Sequence, residues 1–312
     1  KLTSIDFSAT CNARVTRPAC MNLISAPRKS PCRTVTRSTS RIRGARGTCA
    51  AMVPVETVRS FKSVRGEELK GSFVSGGDAT PVVVLAHGYT SNRNSCKFAQ
   101  IAAALAAAGI SSLRFDHPMA IGGLSERHGP FRMGNHNDEV DDIHAAVTFL
   151  RDNGDTVVGV LGHSKGGCNV VKYAAEHGDV CPPLVINLAG RFIPGRASLE
   201  RRFGEGILER LQRDGPIERK EPWGTWAITY DDVRERIDLP MDSYAGAIAA
   251  NQRVTLLCIH GREDAVIHYS ESERCARLSG SRAVIIEGGD HNFTSPAAAS
   301  AMCAEVVCFF AG

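Results

Sequence analysis

The stretch VVGVLGHSKG, residues 157–166, is the part of the sequence that decides the fold. Its apolar first half is typical of a strand buried in a sheet, and the residues that follow have the pattern of a helix. Ser164 therefore lies on a very tight turn between a strand and a helix. Gly162 and Gly166 make room for such a turn, because glycine has no Cβ that could clash. The turn pushes the Ser164 hydroxyl out over the sheet, and this predicts that the serine is a nucleophile.

A serine hydroxyl alone is a poor nucleophile, and two later residues can supply the base and the acid that activate it. His291 follows the last predicted strand, and Asp264 follows the strand before it. Because ligands and reactive groups gather at the carboxyl ends of strands in α/β sheets, both side chains are expected near Ser164. We predict His291 as the general base and Asp264 as the acid that orients it.

Four neighbouring residues compete for these roles. Glu263 adjoins the predicted acid but is expected to point away from it, and Asp290 could reach the predicted base only awkwardly. His268 is interpreted as a capping or packing residue. His163 flanks the nucleophile and is interpreted as a structural residue of the turn. Placement at a strand end therefore favours the original pair.

Two backbone N–H groups are predicted to form an oxyanion hole. One belongs to Lys165, which follows the nucleophile at the start of a helix, where the helix dipole favours negative charge. The other is assigned to Tyr89, in the loop at residues 86–89 after the strand predicted at 81–85. The alternative interpretation of this loop is a simple turn.

Strands and helices alternate along the chain from about residue 55, which predicts a mainly parallel sheet with helices on both faces. The order Ser, Asp, His is that of the α/β-hydrolase fold. We therefore predict one α/β-hydrolase domain over residues 52–312. Strands are predicted at 55–64, 71–75, 81–85, 110–115, 156–161, 184–188, 254–259 and 283–286, and helices at 97–108, 137–152, 165–176, 270–278 and 296–309.

A long insert at about 191–250 interrupts the alternation. It is predicted to be a small helical cap over the carboxyl ends of the strands, with helices at 199–213 and 230–236. A surface excursion without function is the alternative. The insert holds Trp223 and Trp226, which are predicted either to line the acyl pocket or to anchor the cap to the body.

Residues 1–51 are predicted to be a disordered transit peptide. The first fifty residues carry ten basic side chains against one acidic one. They are rich in Ser, Thr and Ala and lack the apolar segment of a secretory signal, a composition typical of organelle targeting. The Ser and Thr content favours the plastid (chloroplast), with the mitochondrion or the cytoplasm as alternatives. A basic arm that binds nucleic acid is the competing interpretation, but the charges are dispersed and no nucleic-acid partner is predicted.

Several other classes of protein are disfavoured by the sequence. It has no G-x-G-x-x-G after the first strand, no P-loop and no H-E-x-x-H, so no cofactor and no metal are predicted. The eleven cysteines are odd in number and form no C-x-x-C pair, which favours buried free thiols. Cys168 is interpreted as a helix-packing residue. No apolar run approaches about 18 residues, so no transmembrane segment is predicted.

The motifs resemble the branch of α/β-hydrolases that contains cinnamoyl (feruloyl) esterases and serine-aminopeptidase-like hydrolases. The resemblance covers most of residues 80–310, and it implies the same triad, the same oxyanion positions and a small cap. Its motifs are HGYTSNRN at 87–94, RFD at 114–116, the turn around Ser164 and HG…D at 260–264, while 154–176, 205–214 and 287–294 are similar to plant-type members. The loop at 117–125 departs from the family's short Gly-x-Gly-x-Ser loop, so the resemblance does not extend to substrate preference.

These observations predict a serine hydrolase that cleaves a small-molecule carboxylic ester or thioester through an acyl-enzyme intermediate. Amide or peptide hydrolysis by the same triad is an alternative, because both reactions use the same site. A ligand-binding pseudo-hydrolase that keeps the triad is a further alternative, since the fold also hosts receptors. The sequence does not predict an oligomeric state.

Overall fold

The computed structural model describes residues 55–312, and the predicted transit peptide at 1–51 lies outside these residues. The described strands are β1 (Glu56–Lys62), β2 (Glu68–Val74), β3 (Val82–Ala86), β4 (Ser111–Phe115), β5 (Val157–His163), β6 (Leu184–Leu188), β7 (Ile217–Glu221), β8 (Gly224–Ile228), β9 (Thr255–Gly261) and β10 (Arg282–Ile286). The helices are α1 (Phe98–Ala107), α2 (His136–Asp152), α3 (Lys165–Glu176), α4 (Arg196–Phe203), α5 (Ile207–Asp214), α6 (Tyr230–Ile237), α7 (Met241–Ala250), α8 (Ser270–Ser279) and α9 (Pro296–Ala311). Within the described range, no helix is long and apolar enough to cross a membrane.

Eight strands form one sheet in the order β1-β2-β4-β3-β5-β6-β9-β10. Strand β2 runs antiparallel to both of its neighbours, and the pairs from β4 to β10 are all parallel. The prediction of a mainly parallel sheet is therefore confirmed. Since β5, β9 and β10 are parallel, the loops that follow them open at the same edge of the sheet.

Helices cover both faces of the sheet, and alternate residues of each strand face one layer or the other. In β3, Val82 and Val84 pack into the cluster beneath α2, α3, α7 and α8, whereas Val83 and Leu85 pack into the cluster beneath α1 and α9. Such double burial explains why this strand is a continuous apolar run in the sequence.

The insert between β6 and β9 has two parts. Helices α4, α5 and α6 and the hairpin β7-β8 surround an apolar cluster of their own, to which Phe131 and Met133 contribute from the loop before α2. Helix α7 packs instead into the body, where Met241 and Ile248 join the cluster beneath α3 and α8. We call residues 196–237 the cap.

The prediction of a single helix at 199–213 is wrong, because α4 ends at Phe203 and α5 begins at Ile207. Gly204 and Gly206 separate them with φ angles of 90° and 63°. Glycine adopts these angles readily, whereas they are incompatible with a continuous right-handed helix. The β7-β8 hairpin was also absent from the predicted elements.

All seven cysteines of residues 55–312 are free thiols, in agreement with the prediction of free thiols. Five of them are buried. Cys96 is half-buried and Cys308 is exposed, so the prediction that the cysteines are buried does not hold for these two residues. Cys168 is buried in α3, and its thiol donates a hydrogen bond to the carbonyl oxygen of Arg191 (2.5 Å).

Candidate active site

Ser164 lies between β5 and α3 with a φ of 57°, a left-handed value that non-glycine residues rarely adopt. Its strain is held in place by the surrounding backbone. The Ser164 N–H donates to the carbonyl oxygen of Leu188 (3.0 Å). A Cβ on Gly162 would overlap the carbonyl of Gly166, so the tight turn requires glycine there. Strained backbone of this kind is typical of functional positions.

The structure brings together the three predicted side chains, each from a loop at the same edge of the sheet. The hydroxyl of Ser164 donates to Nε2 of His291 (3.0 Å), and Nδ1–H of His291 donates to Oδ2 of Asp264 (2.7 Å). Both distances are within hydrogen-bonding range. The imidazole can accept the serine proton at one nitrogen while the carboxylate holds the other, which is the geometry of a catalytic triad.

The Asp264 carboxylate is fixed by further donors. Its Oδ1 accepts the N–H groups of Val266 and Ile267 (both 2.8 Å), and its Oδ2 accepts Nε2–H of His260 (3.0 Å). Burial raises the pKa of Asp264, but the hydrogen bonds from His260, His291 and Ile267 outweigh it, so the pKa is well below its usual range. The acid therefore stays ionised and can stabilise an imidazolium.

His163 binds the backbone of the predicted base rather than any side chain of the triad. Its Nε2–H donates to the carbonyl oxygen of His291 (2.7 Å), and its Nδ1 is buried without a hydrogen-bond partner among the described residues. Burial, with the nearby His291, lowers the pKa of His163 to about 3. It is thus a neutral residue that anchors the loop carrying the base.

Of the other three competitors, Glu263 is exposed, and Asp290 and His268 have local partners of their own. Asp290 accepts the N–H groups of Asn292 (3.2 Å) and Thr294 (2.8 Å). His268 is exposed and its Nδ1 is 2.8 Å from the hydroxyl of Ser270. Neither side chain is hydrogen-bonded to the Ser164–His291 pair.

The loop that carries Tyr89 passes directly beside the Ser164 turn. A Cβ on Gly88 would lie 2.9 Å from Cβ of Ser164 and 3.5 Å from the amide nitrogen of Lys165. The backbone N–H groups of Tyr89 and Lys165 donate to no other group within residues 55–312. Two unpaired amides in adjoining segments, next to a serine hydroxyl, match an oxyanion hole.

His87 orients the peptide between Gly88 and Tyr89, a role that the sequence did not indicate. Its Nδ1–H donates to the carbonyl oxygen of Gly88 (2.9 Å), and its Nε2 accepts the N–H of His117 (3.1 Å). Because a trans peptide is planar, holding the Gly88 carbonyl on one side directs the Tyr89 N–H to the other. Burial and the neighbouring His117 lower the pKa of His87, which keeps the ring neutral in this arrangement.

A cavity of about 330 Å³ lies over the triad, with Ser164, His291 and Tyr89 among its lining residues. This volume is near the lower end of the range for small-molecule sites, roughly 300–1,000 Å³. Trp223 and Trp226 do not line it. They pack on Phe131, with ring centres 4.9 and 5.1 Å apart, and so belong to the apolar cluster of the cap.

A family model described as "Serine aminopeptidase, S33" matches residues 77–213. No curated protein matches the chain. The ferulic acid complex of Est1E from Butyrivibrio proteoclasticus is similar in structure, with a TM-score of 0.64, 20% identity, and coverage of 80% of this chain and 97% of that one. The chain has the α/β-hydrolase fold.

Other solved structures agree with this assignment. An esterase of Pyrococcus furiosus has a TM-score of 0.61 at 17% identity, covering 88% of this α/β-hydrolase and 99% of its own chain. The esterase domain of a Rhodothermus marinus protein has a TM-score of 0.59 at 18% identity, covering 83% and 100%. These neighbours share the α/β-hydrolase fold with this chain. The similarity to plant-type members stays a prediction.

A buried ion pair supports the start of α3. Lys165 Nζ donates to Oε1 of Glu139 (2.9 Å) and to the side-chain oxygen of Asn135. The other carboxylate oxygen of Glu139 accepts Nδ2–H of Asn169 (2.6 Å). Burial raises the pKa of Glu139, but Lys165 outweighs it and the net value falls to about 2. The side chain of Lys165 is therefore committed to the fold, and its amide remains available.

The free energy of unfolding of the protein is expected to fall steeply below about pH 6.5. Burial lowers the pKa of His136 and of His163 to about 3, whereas an unfolded histidine titrates near 6.5. Between these values the unfolded state binds more protons, so the contribution is complete above about pH 6.5 and is lost as the pH falls. Each histidine contributes a slope of about 1.4 kcal/mol per pH unit. Urea unfolding at pH 7.5, 6.0 and 5.0 measures the slope.

Two variants check the origin of this slope. His163→Gln keeps a donor for the His291 carbonyl but cannot titrate, and it should reduce the slope by about 1.4 kcal/mol per pH unit. His268→Gln, at an exposed histidine, should leave it unchanged. Equal slopes in all three proteins would contradict the assignment.

Proposed function

We propose that this α/β-hydrolase cleaves carboxylic esters or thioesters of small molecules through an acyl-enzyme intermediate on Ser164. The observation that supports it is the continuous hydrogen-bond chain from Ser164 through His291 to Asp264 at the floor of a cavity. The esterases among the structural neighbours favour ester bonds.

In the proposed reaction, Ser164 Oγ attacks the carbonyl carbon of the ester while His291 Nε2 takes the hydroxyl proton. The amides of Tyr89 and Lys165 donate to the oxygen that becomes negative in the tetrahedral intermediate. His291 then returns the proton to the departing alcohol or thiol as its bond to carbon breaks. A water molecule, deprotonated by the same imidazole, attacks the acyl carbon and releases the acid and the free serine.

Amide or peptide hydrolysis is the second candidate, since the matching family model describes a serine aminopeptidase. The same residues would carry it, with the imidazole protonating an amine as the leaving group. Comparing 4-nitrophenyl butyrate with alanine 4-nitroanilide separates ester from amide hydrolysis. Both substrates release a coloured product, so the two rates are measured in the same way. We expect multiple turnovers on the ester and a much lower rate on the anilide.

Labelling with a fluorophosphonate probe tests the proposed nucleophile. The probe should phosphonylate wild-type protein at Ser164, as identified by peptide mapping, and should not label Ser164→Ala. Ser75→Ala, at an exposed serine after β2, is the matched control and should label normally. Wild-type protein that takes no label and turns over no ester would refute the proposed function. Binding of an ester without turnover would favour the alternative of a ligand-binding pseudo-hydrolase.

A further inference from the structure

Three arginines line the cavity above Ser164, and no carboxylate does. Arg191 comes from the loop after β6, Arg202 from α4 and Arg236 from α6, while the remaining lining residues include neither Asp nor Glu. Lys165 also lines the cavity, but its ammonium group is paired with Glu139. The cavity is therefore positively charged over the residues that we propose to act on the ester.

Arg236 is the least compensated of these cations. One of its N–H groups donates to the hydroxyl of Ser198 (3.0 Å), and it forms no ion pair with a carboxylate among residues 55–312. Burial, together with the nearby Arg191 and Arg202, lowers the pKa of Arg236 to about 10. A guanidinium has five N–H donors in a planar fork, so most of them have no protein acceptor here.

Arg202 and Arg191 complete the group in different ways. The guanidinium of Arg202 lies 4.7 Å from the ring centre of Tyr89 and forms no ion pair with a described carboxylate. Arg191 pairs with Glu271 (3.2 Å), so its charge is already balanced. The hydroxyl of Tyr89 is buried and has no hydrogen-bond partner among the described residues. Two cations without a described carboxylate partner and one hydroxyl without a described hydrogen-bond partner thus surround one cavity.

Several other arginines of the cap form ion pairs with acidic residues. Arg196 pairs with Glu200 (2.7 Å), Arg213 with Asp214 (2.7 Å), and Arg234 with Asp238 (2.7 Å). Acidic residues are therefore common in the same segment. Arg201 and Arg210 also form no ion pair with a described carboxylate, but neither lines the cavity, so among the unpaired arginines of the cap only Arg202 and Arg236 place their charge in its wall.

We propose that the cavity binds esters that carry a second, anionic group, a carboxylate or a phosphate, and that Arg202 and Arg236 hold this group while Ser164 attacks the ester carbonyl. Guanidinium groups bind both anions through paired N–H donors. The anion would balance the charge of the half-buried Arg236 and that of Arg202, which is exposed at the cavity wall. The inference rests on the proposed function for the attack on the ester, but the anion site itself is independent of it.

Matched esters test the preference. The mono-4-nitrophenyl ester of adipic acid carries a free carboxylate, and its methyl ester is the same acyl group without the charge. Wild-type protein should cleave the anionic member with a kcat/KM at least tenfold higher, after subtraction of the uncatalysed rate. Acetate release from 4-acetoxyphenyl phosphate, against 4-methoxyphenyl acetate, tests phosphate in the same way. Preference for one anion only would identify which group the site takes.

Substitutions in the cavity wall locate the effect. Arg236→Met and Arg202→Met should each lower kcat/KM for the anionic ester about tenfold or more, mainly through KM, and change the neutral ester little. Arg213→Met is the matched control, because this cap arginine is 69% exposed and does not line the cavity. Wild-type protein that prefers the neutral ester, or a cavity variant that slows both esters equally, would overturn the proposal.

Binding to Ser164→Ala separates this inference from the proposed hydrolysis. By calorimetry, Ser164→Ala should bind monomethyl adipate with a Kd at least tenfold lower than that of dimethyl adipate. Adding Arg236→Met to Ser164→Ala should remove this difference in Kd. If the wild-type protein cleaves neutral esters and Ser164→Ala does not discriminate the pair, the anion site fails and the hydrolase stands. If the wild-type protein cleaves no ester but Ser164→Ala binds monomethyl adipate more tightly than dimethyl adipate, the anion site stands and the proposed hydrolysis fails.

Discussion

Replacing Ser164 with alanine is expected to lower kcat for ester hydrolysis by on the order of 10⁶-fold, while the protein stays folded. The substitution removes only the attacking oxygen and keeps the Cβ that the turn already accommodates. Residual catalysis of about 10³–10⁴ over water would come from the oxyanion amides and from substrate binding. Initial rates on 4-nitrophenyl butyrate, with circular dichroism as the check on folding, measure the effect.

The two other triad residues give companion results. His291→Ala should cost about as much as the serine substitution, since the groups act as one unit, and Asp264→Asn should cost on the order of 10⁴. The double variant Ser164→Ala, His291→Ala should be no slower than Ser164→Ala alone. His268→Ala, at the exposed histidine, is the control and should retain wild-type rates. A His291→Ala protein with more than a tenth of wild-type activity would contradict the assigned base.

Replacing Lys165 with methionine is expected to reduce the free energy of unfolding by about 3–5 kcal/mol. The side chains of Lys165 and Glu139 are 8% and 5% exposed, so the substitution leaves a buried carboxylate with only the Asn169 amide as partner. Loss of one member of a buried pair is costly because the other charge cannot be solvated. Urea unfolding at pH 7.5 measures the difference.

Two further proteins show whether the cost comes from the unpaired charge. Lys165→Met combined with Glu139→Gln should recover most of the loss, because no buried charge then remains. Arg274→Met removes the cation of an exposed pair with Asp242 and should cause no measurable change. A double variant as unstable as Lys165→Met would show that the lysine acts through packing instead.

The sheet and the positions of the three predicted triad residues could be predicted because both follow from local patterns. The apolar run at 157–161, the small residues around Ser164 and the polar residues after β9 and β10 each carry their information within about ten positions. In a parallel sheet, strand direction alone brings the following loops to one edge. Long-range contacts were therefore not needed to place the triad.

The contacts that support these residues could not be predicted, because they join segments far apart in the chain. His163 reaches the His291 carbonyl across 128 positions, and Arg191, Arg202 and Arg236 meet only when the cap folds. The β7-β8 hairpin did leave a signal in the sequence, since Trp226 and Ile228 alternate with Thr225 and Ala227 after the turn residues Pro222 and Trp223. The sequence predicts one helix in place of α4 and α5, because the apolar periodicity continues across Gly204 and Gly206.

The three side chains that we propose to act on the ester lie on loops of the central body. Arg202 and Arg236, which we propose to hold the anion, lie within the inserted segment at 196–237. Under these two proposals, catalysis and substrate selection depend on separate segments of the sequence. Exchanging the inserted segment between homologues should therefore change the substrate preference without changing the catalytic mechanism. Substrate preference can then diverge within this fold through changes in the inserted segment alone.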